Sequence, residues 1–191
     1  IYLCRNEVLP GLEPLSEAQE ADLRAIVTNF DGESISELAE IEAVTVHDVK
    51  AVEYFIGNRL EALGLARLKP LVHFGCTSED INNLSYAVGI RDAVTNVWLP
   101  AARELVDGVS DLASSARDMP MMSRTHGQPA TPTTLGKEMA VLAFRLQRQI
   151  KHVENQEFLG KINGATGTYA AHYASAPQVD WQEVSRGFVE H

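Results

Sequence analysis

Cysteine is nearly absent from this 191-residue sequence: Cys4 and Cys76 are the only two, too few for a disulfide framework or a cysteine zinc site. No apolar run approaches the roughly 20 residues of a membrane span, and no cationic leader precedes a small-residue cleavage site, so a cytoplasmic chain with no membrane partner is expected. Basic residues are scarce. Sixteen Lys and Arg face 26 Asp and Glu, a formal net charge of −10, and no Lys/Arg cluster offsets it. Such a chain repels nucleic acid, which is excluded as a partner, whereas a small anion remains possible because a pocket's field is set by its own lining. The dinucleotide fingerprint G-x-G-x-x-G is missing, and Gly136-Lys137 is followed by Glu138, so there is no phosphate loop. A G-x-S-x-G elbow and His or carboxylate pairs at metal spacing are missing too, so neither a serine hydrolase nor a metal enzyme is expected.

What is present is an ordinary globular composition, 45% hydrophobic and 22% charged, with a dominant helical period. Ser16 with Gln19 and Ser34 with Glu37 read as capping boxes ahead of apolar sets at helical spacing. Thr45 with Asp48 predicts a third helix through Val49, Val52, Ile56 and Leu60, stopped by Gly64. From Thr77 the helices lengthen. One is expected over 79–97, with Ile81, Leu84 and Val88 inward, halting near Pro100. A second spans about 101–117 on Leu105, Val109, Leu112 and Ala116. A polar loop, Ser123 to Thr134, separates it from a rod of over 20 residues carrying Met139, Leu142, Leu146 and Ile150. The fold class is all-α: a small N-terminal helical domain over 1–67, incomplete at its start, then the truncated first part of a long-helix bundle over 68–191. A start at Ile1 without Met and an end inside a helical pattern suggest a piece of a larger protein.

Four polar clusters interrupt the apolar stripes. In Thr45 to Lys50, Thr45 reads as a cap, and His47 with Lys50 beside a helix N-terminus would form an anion-binding corner. The run His73 to Asn83 places a His, a Gly and the paired hydroxyls Thr77 and Ser78 at a helix mouth, several donors for one carboxylate. Ser123 to Pro132 holds Arg-Thr-His-Gly-Gln followed by two rigidifying prolines, far more than a linker needs, and His126 is the best proton-transfer candidate. In Gly160 to Tyr169 the glycines predict a tight bend, with Lys161 and Asn163 available to face a site. His152 and His172 stand alone and read as surface residues.

Together and in this order, TVHDVKAVEY (45–54), HFGCTSEDINN (73–83), SRTHGQPATP (123–132) and GKINGATGTY (160–169) resemble the adenylosuccinate lyase family of the fumarase/aspartase superfamily. The similarity runs over essentially the whole chain. The Thr-Ser-Glu-Asp and His-Asp-Val-Lys strings set it apart from fumarases and argininosuccinate lyases.

The resemblance implies an all-α homotetramer with active sites shared between subunits. It also implies cofactor-free β-elimination of fumarate from adenylosuccinate, giving AMP, and from the succinylated carboxamide ribotide of purine synthesis. Carried over by motif, His126 matches the general acid that protonates the departing nitrogen. Thr77 and Ser78 match the hydroxyls on a succinyl carboxylate, His47, Asp48 and His73 match substrate-binding positions, and Thr125 flanks the acid. These residue types suit the chemistry. Removing a proton next to a carboxylate loads charge onto it, which preorganised donors must stabilise, and a poor amine leaving group needs a positioned acid. Val46 departs from the polar residue common in the family. The family's serine base lies downstream of His191 and its phosphate-binding Arg-Tyr pair upstream of Ile1, so the fragment alone is expected to be inactive. Two other readings stay open at the level of sequence, a sister lyase acting on another fumarate adduct and a helical scaffold without chemistry.

Overall fold

A computed structural model describes all residues from Ile1 to His191. The chain divides into two compact units, one made of 1–85 and 160–191, the other of 86–159.

The first unit opens with α1 (Tyr2–Arg5), α2 (Glu17–Thr28), α3 (Gly32–Thr45) and α4 (Asp48–Ala62). The Ser16–Gln19 capping box forms as expected, Gln19 N donating to Ser16 Oγ and Ser16 N to Gln19 Oε1. The start expected at Ser34 is corrected. Asp31 caps α3, accepting from Ser34 N at 2.9 Å, because its extended backbone and short carboxylate sit just ahead of the first turn. Glu37 instead binds Arg59 at 2.6 Å. Thr45 does not cap α4 either. It is the last residue of α3, which ends where Val46 takes a left-handed φ of 52°, a strained choice for a β-branched residue. His47 is the cap. Gly64 stops the segment with φ +70°, as its position predicts. The α4 face carrying Leu60 packs with Cys4 of α1, with Leu65 and with Leu68 in a 3₁₀ turn (Ala66–Leu71), and Leu23, Ile56 and Leu71 close around them. Each fully buried leucine contributes about 1.5–3 kcal/mol of transfer free energy.

The N-terminal half of α5 (Ser78–Ala93), the loop from Gly160, α8 (Ala170–Ser175) and α9 (Trp181–Val189) complete this unit. Trp181 is buried and donates from Nε1 to Ala176 O at 3.0 Å. His172, expected at the surface, is 4% exposed and packs 4.8 Å from Trp181, centroid to centroid. A histidine in a short helix can fill a core as an aromatic plate, and this one does.

In the second unit the helix does not halt near Pro100. Helical structure is unbroken from Ser78 to Ser115, because a π turn (Val94–Trp98) precedes α6 (Leu99–Ser115). The wider turn absorbs a proline that lacks an N–H and would crowd the carbonyl one turn back. The buried residues of α6 are Leu99, Val106 and Ala113, and those of α7 (Leu135–Glu154) are Gly136, Ala143 and Ile150. Both sets recur every seven residues, the spacing of a coiled-coil seam. Leu99, Val106 and Ile150 form the apolar core. At the other end, Gly136 lets the backbones approach: a Cβ there would lie 2.5 Å from Ala113 O. Leu105, Leu112 and Leu142, expected inward, are 44–58% exposed, since the seam uses their neighbours.

The expected polar loop 123–134 is an antiparallel hairpin, β1 (Pro120–Thr125) paired with β2 (Gln128–Thr134). Its register shifts once, where Ser123 faces both Ala130 and Thr131 and binds Thr131 O. Both strands are edges, so Pro129 and Pro132 forfeit no interior ladder bond. Every other regular element is helical, in keeping with the all-α class.

Candidate active site

The first unit gathers most of the candidate residues at the start of α5. His47 Nδ1 accepts the Lys50 backbone N–H at 3.3 Å, capping α4. That leaves the proton on Nε2, which lies 3.3 Å from Ser78 Oγ. Ser78 accepts from the ring, so its own hydroxyl proton is free to point at an anion. Asp48 Oδ1 accepts from Val49 N at 2.7 Å and lies 3.3 Å from His47 Nδ1, a partner for the ring when it is charged. Two motifs 31 residues apart thus meet at one helix mouth.

Beside them, His73 Nδ1 is 2.6 Å from Glu53 Oε2, while its Nε2 is buried without a protein partner. Glu53 also takes both bonds from Lys50 Nζ at 2.9 Å. Burial works to raise the Glu53 carboxyl, but the bonds from Lys50 and His73 outweigh it and hold it below the usual carboxylate range. The anion corner expected of His47 and Lys50 is corrected accordingly, since the Lys50 ammonium is already neutralised by Glu53. Cys76 is no nucleophile: burial, with Asp80 nearby, pushes its thiol up to about 11.

Asp80 was legible only as a first-turn acid, yet it is 0% exposed. Its carboxylate binds Lys161 Nζ at 2.6 Å and accepts from Thr77 N at 2.9 Å and Gly164 N at 3.0 Å. Burial opposes the charge, but Lys161 and the amides of Thr77 and Asn163 keep the carboxyl below its ordinary value. Lys161, expected to be available to face a site, is half-buried with its ammonium engaged by Asp80. Gly164 and Gly167 do form the expected bend, at φ +83° and +72°. Glu53 and Asn83 also escaped sequence reading. Only a polar residue on an apolar helix face could have signalled them.

In the second unit, Thr125 and His126 sit at the exposed hairpin tip. Thr125 pairs with Gln128, and the two residues between, His126 and Gly127, have φ of +53° and +74°. Two positive φ values mark the type I′ pattern that suits a twisted ribbon, and histidine tolerates that region better than most residues. The tip leaves His126 exposed.

Residues 2–190 match the lyase family. The chain is 52% identical over 168 residues to adenylosuccinate lyase of Escherichia coli, covering 87% of the chain and 37% of that enzyme. Against adenylosuccinate lyase of Haemophilus influenzae it is 47% identical over 177 residues, covering 92% and 39%. For that of Legionella pneumophila the values are 39% over 188 residues, 98% and 41%. The chain therefore spans 37–41% of the length of these curated relatives. Among solved structures, fumarate lyase from Mesorhizobium superposes with a TM-score of 0.75 at 21% identity, over 99% of this chain and 41% of that one, a likeness of fold. The 3-carboxy-cis,cis-muconate lactonizing enzyme of Pseudomonas putida gives 0.73 at 26% identity, over 99% and 42%. Matched from its second residue to its penultimate one, the chain belongs to the lyase family.

Proposed function

We propose that the protein containing this chain eliminates fumarate from adenylosuccinate to give AMP, and from the succinylated carboxamide ribotide of de novo purine synthesis. The observation that carries this reading is the meeting of His47 Nε2 with Ser78 Oγ at 3.3 Å beside Thr77, at a helix start. Hydroxyls at a helix mouth suit a carboxylate, and one whose acceptor side is filled by an imidazole N–H has its proton left for the substrate.

In this mechanism Thr77 and Ser78 hold a succinyl carboxylate. His47, Asp48 and His73 line the substrate. A base supplied by a segment outside this chain removes the proton next to the carboxylate, and the charge that develops there is met by the hydroxyl donors. The carbon–nitrogen bond then breaks, its electron pair leaves with nitrogen, and His126, flanked by Thr125, delivers a proton to it. No cofactor takes part. The reading includes a cytoplasmic homotetramer with shared active sites. Support for assembly is the exposure of Val97, Trp98, Leu105, Leu112 and Phe144 in the second unit, 46–68% in the single chain, since large apolar side chains exposed together mark interaction sites.

The test is turnover of adenylosuccinate by the full-length protein, followed by the absorbance change on cleavage. His126→Ala should lower the rate by about 10²-fold or more while substrate still binds. A variant keeping more than about a tenth of the wild-type rate overturns the acid role, and a well-folded full-length protein with no turnover overturns the lyase reading.

A further inference from the structure

The Gly160–Tyr169 loop has no part in the mechanism above, yet it is clasped to the first two turns of α5 more tightly than a bend requires. Asp80 Oδ1 meets Lys161 Nζ at 2.6 Å and accepts from Asn163 N at 3.3 Å. Its Oδ2 accepts from Thr77 N at 2.9 Å and Gly164 N at 3.0 Å. One turn on, Asn83 Oδ1 accepts from Lys161 N at 2.8 Å and Asn83 Nδ2 donates to Lys161 O at 3.0 Å. Lys161 Nζ also donates to Gly164 O at 3.1 Å, and a Cβ at Gly160 would lie 2.5 Å from Leu84 Cδ2. All of these residues belong to the first unit.

Capping α5 needs only the bond from Thr77 N, which an exposed aspartate could accept. Complete burial and three further donors, from residues 81 to 84 positions later, exceed that need. We propose that Asp80 and Lys161 are positioning residues of the lyase site, fixing the backbone that presents Thr77 and Ser78 and locking the glycine loop against it. This rests on the function proposed above. Lys161 has a second effect. Asp80 lies two residues from Ser78, so its negative charge, left alone, would repel a substrate carboxylate at the hydroxyl pair, and the ammonium cancels it. The two residues therefore act differently: Asp80 sets geometry, and Lys161 permits the anion to bind.

The variants Asp80→Asn, Lys161→Met and the pair together, made in the full-length protein, test this. By hydrogen-exchange mass spectrometry, the peptide spanning 160–169 should exchange about tenfold faster or more in Asp80→Asn, as expected for lost charge-assisted bonds. Lys161→Met should raise KM for adenylosuccinate, and Asp80→Asn should lower kcat, by about tenfold or more each, with AMP inhibition changed by less than about twofold. The double variant strands no charge, so its thermal midpoint should recover while kcat/KM does not. The proposal is overturned if the peptide exchanges as in wild type, if Asp80→Asn stays within about threefold of wild-type kcat/KM, or if the double variant recovers stability and turnover together. Should the wild-type protein turn over no adenylosuccinate, the lyase reading fails, and exchange at 74–80 and 160–169 in the variants still decides whether the clamp holds both segments: faster exchange in both upholds it, and unchanged exchange overturns it.

Discussion

Gly75 joins the His73 side of the site to the hydroxyl pair, and replacing it with alanine should be costly for two separable reasons. Its φ is +68°, where an L side chain costs roughly 1–2 kcal/mol. An added Cβ would also lie 2.7 Å from His172 Cδ2 and 2.8 Å from Cε1, with Nε2 nearer still. The ring has little room to retreat: Trp181 is 4.8 Å away, Tyr169 5.5 Å and Phe74 6.3 Å, centroid to centroid. Overpacking of this kind costs about 1–3 kcal/mol, so Gly75→Ala should destabilise by about 2–5 kcal/mol in total. A second substitution separates the two parts. His172→Ala alone opens a cavity and should cost about 2–5 kcal/mol. In the double variant the new methyl enters that cavity, so the clash disappears and, of the two costs at Gly75, only the φ strain remains beside the loss of the ring. The double variant should therefore be more stable than the sum of the singles by about 1–3 kcal/mol. Thermal midpoints at matched protein concentration measure this. Strictly additive losses, or a Gly75→Ala protein as stable as wild type, would refute the reasoning.

Two further outcomes follow from the same unit. Thr77→Ala with Ser78→Ala should weaken fumarate binding far more than AMP binding, since each hydrogen bond to a charged group contributes about 1.5–3 kcal/mol; equal losses in a calorimetric titration would reduce the hydroxyls to helix caps. His172 is held neutral chiefly by burial, against the opposing pull of Asp80, so its native pKa lies below the ordinary imidazole value. Both states are neutral at high pH; as pH falls below about 6.5 the unfolded chain takes a proton that the native ring refuses, and stability drops by at most about 1.4 kcal/mol per pH unit. Replacing His172 with Gln should flatten that slope between about pH 6.5 and 5 in denaturation at stepped pH, and an unchanged slope would assign it to other groups.

The parts of the fold legible in the sequence are those whose cause is local. The Ser16–Gln19 box and the Gly64 stop rest on bonds spanning a few residues, and each formed where the pattern put it. The all-α class followed from the same short-range period. Local pattern failed where a tertiary or nearby backbone feature decided the outcome. Pro100 breaks a helix on its own terms but not one already widened by a π turn. Leu105 and Leu112 lie on a plausible apolar stripe, and only the approach of α7 selects Val106 and Ala113 instead. The hairpin was hidden by its prolines, which argue against an interior strand but are harmless in a ribbon that has only edges.

The site divides along the same line. Its polar strings were legible because each packs several donors into a few consecutive residues, more than a cap or a linker needs. The contacts that organise them were not. Glu53 meets His73 across 20 residues, and Asp80 meets Gly164 across 84. Asp80 shows how a local role conceals a distant one. An acid in the first turn of a helix is fully accounted for by the cap it makes, so nothing in Thr-Ser-Glu-Asp asks for a second partner. Only its complete burial does. A carboxylate taken wholly out of water is tolerated when its lone pairs are met, and for Asp80 every donor but the Thr77 amide comes from the one motif, Gly160 to Tyr169, whose glycines looked like a simple bend. The bend and the cap are two halves of one contact. The glycines that make the loop tight also bring its amides close enough to satisfy the charge, which explains why both strings occur in this chain although neither is complete alone.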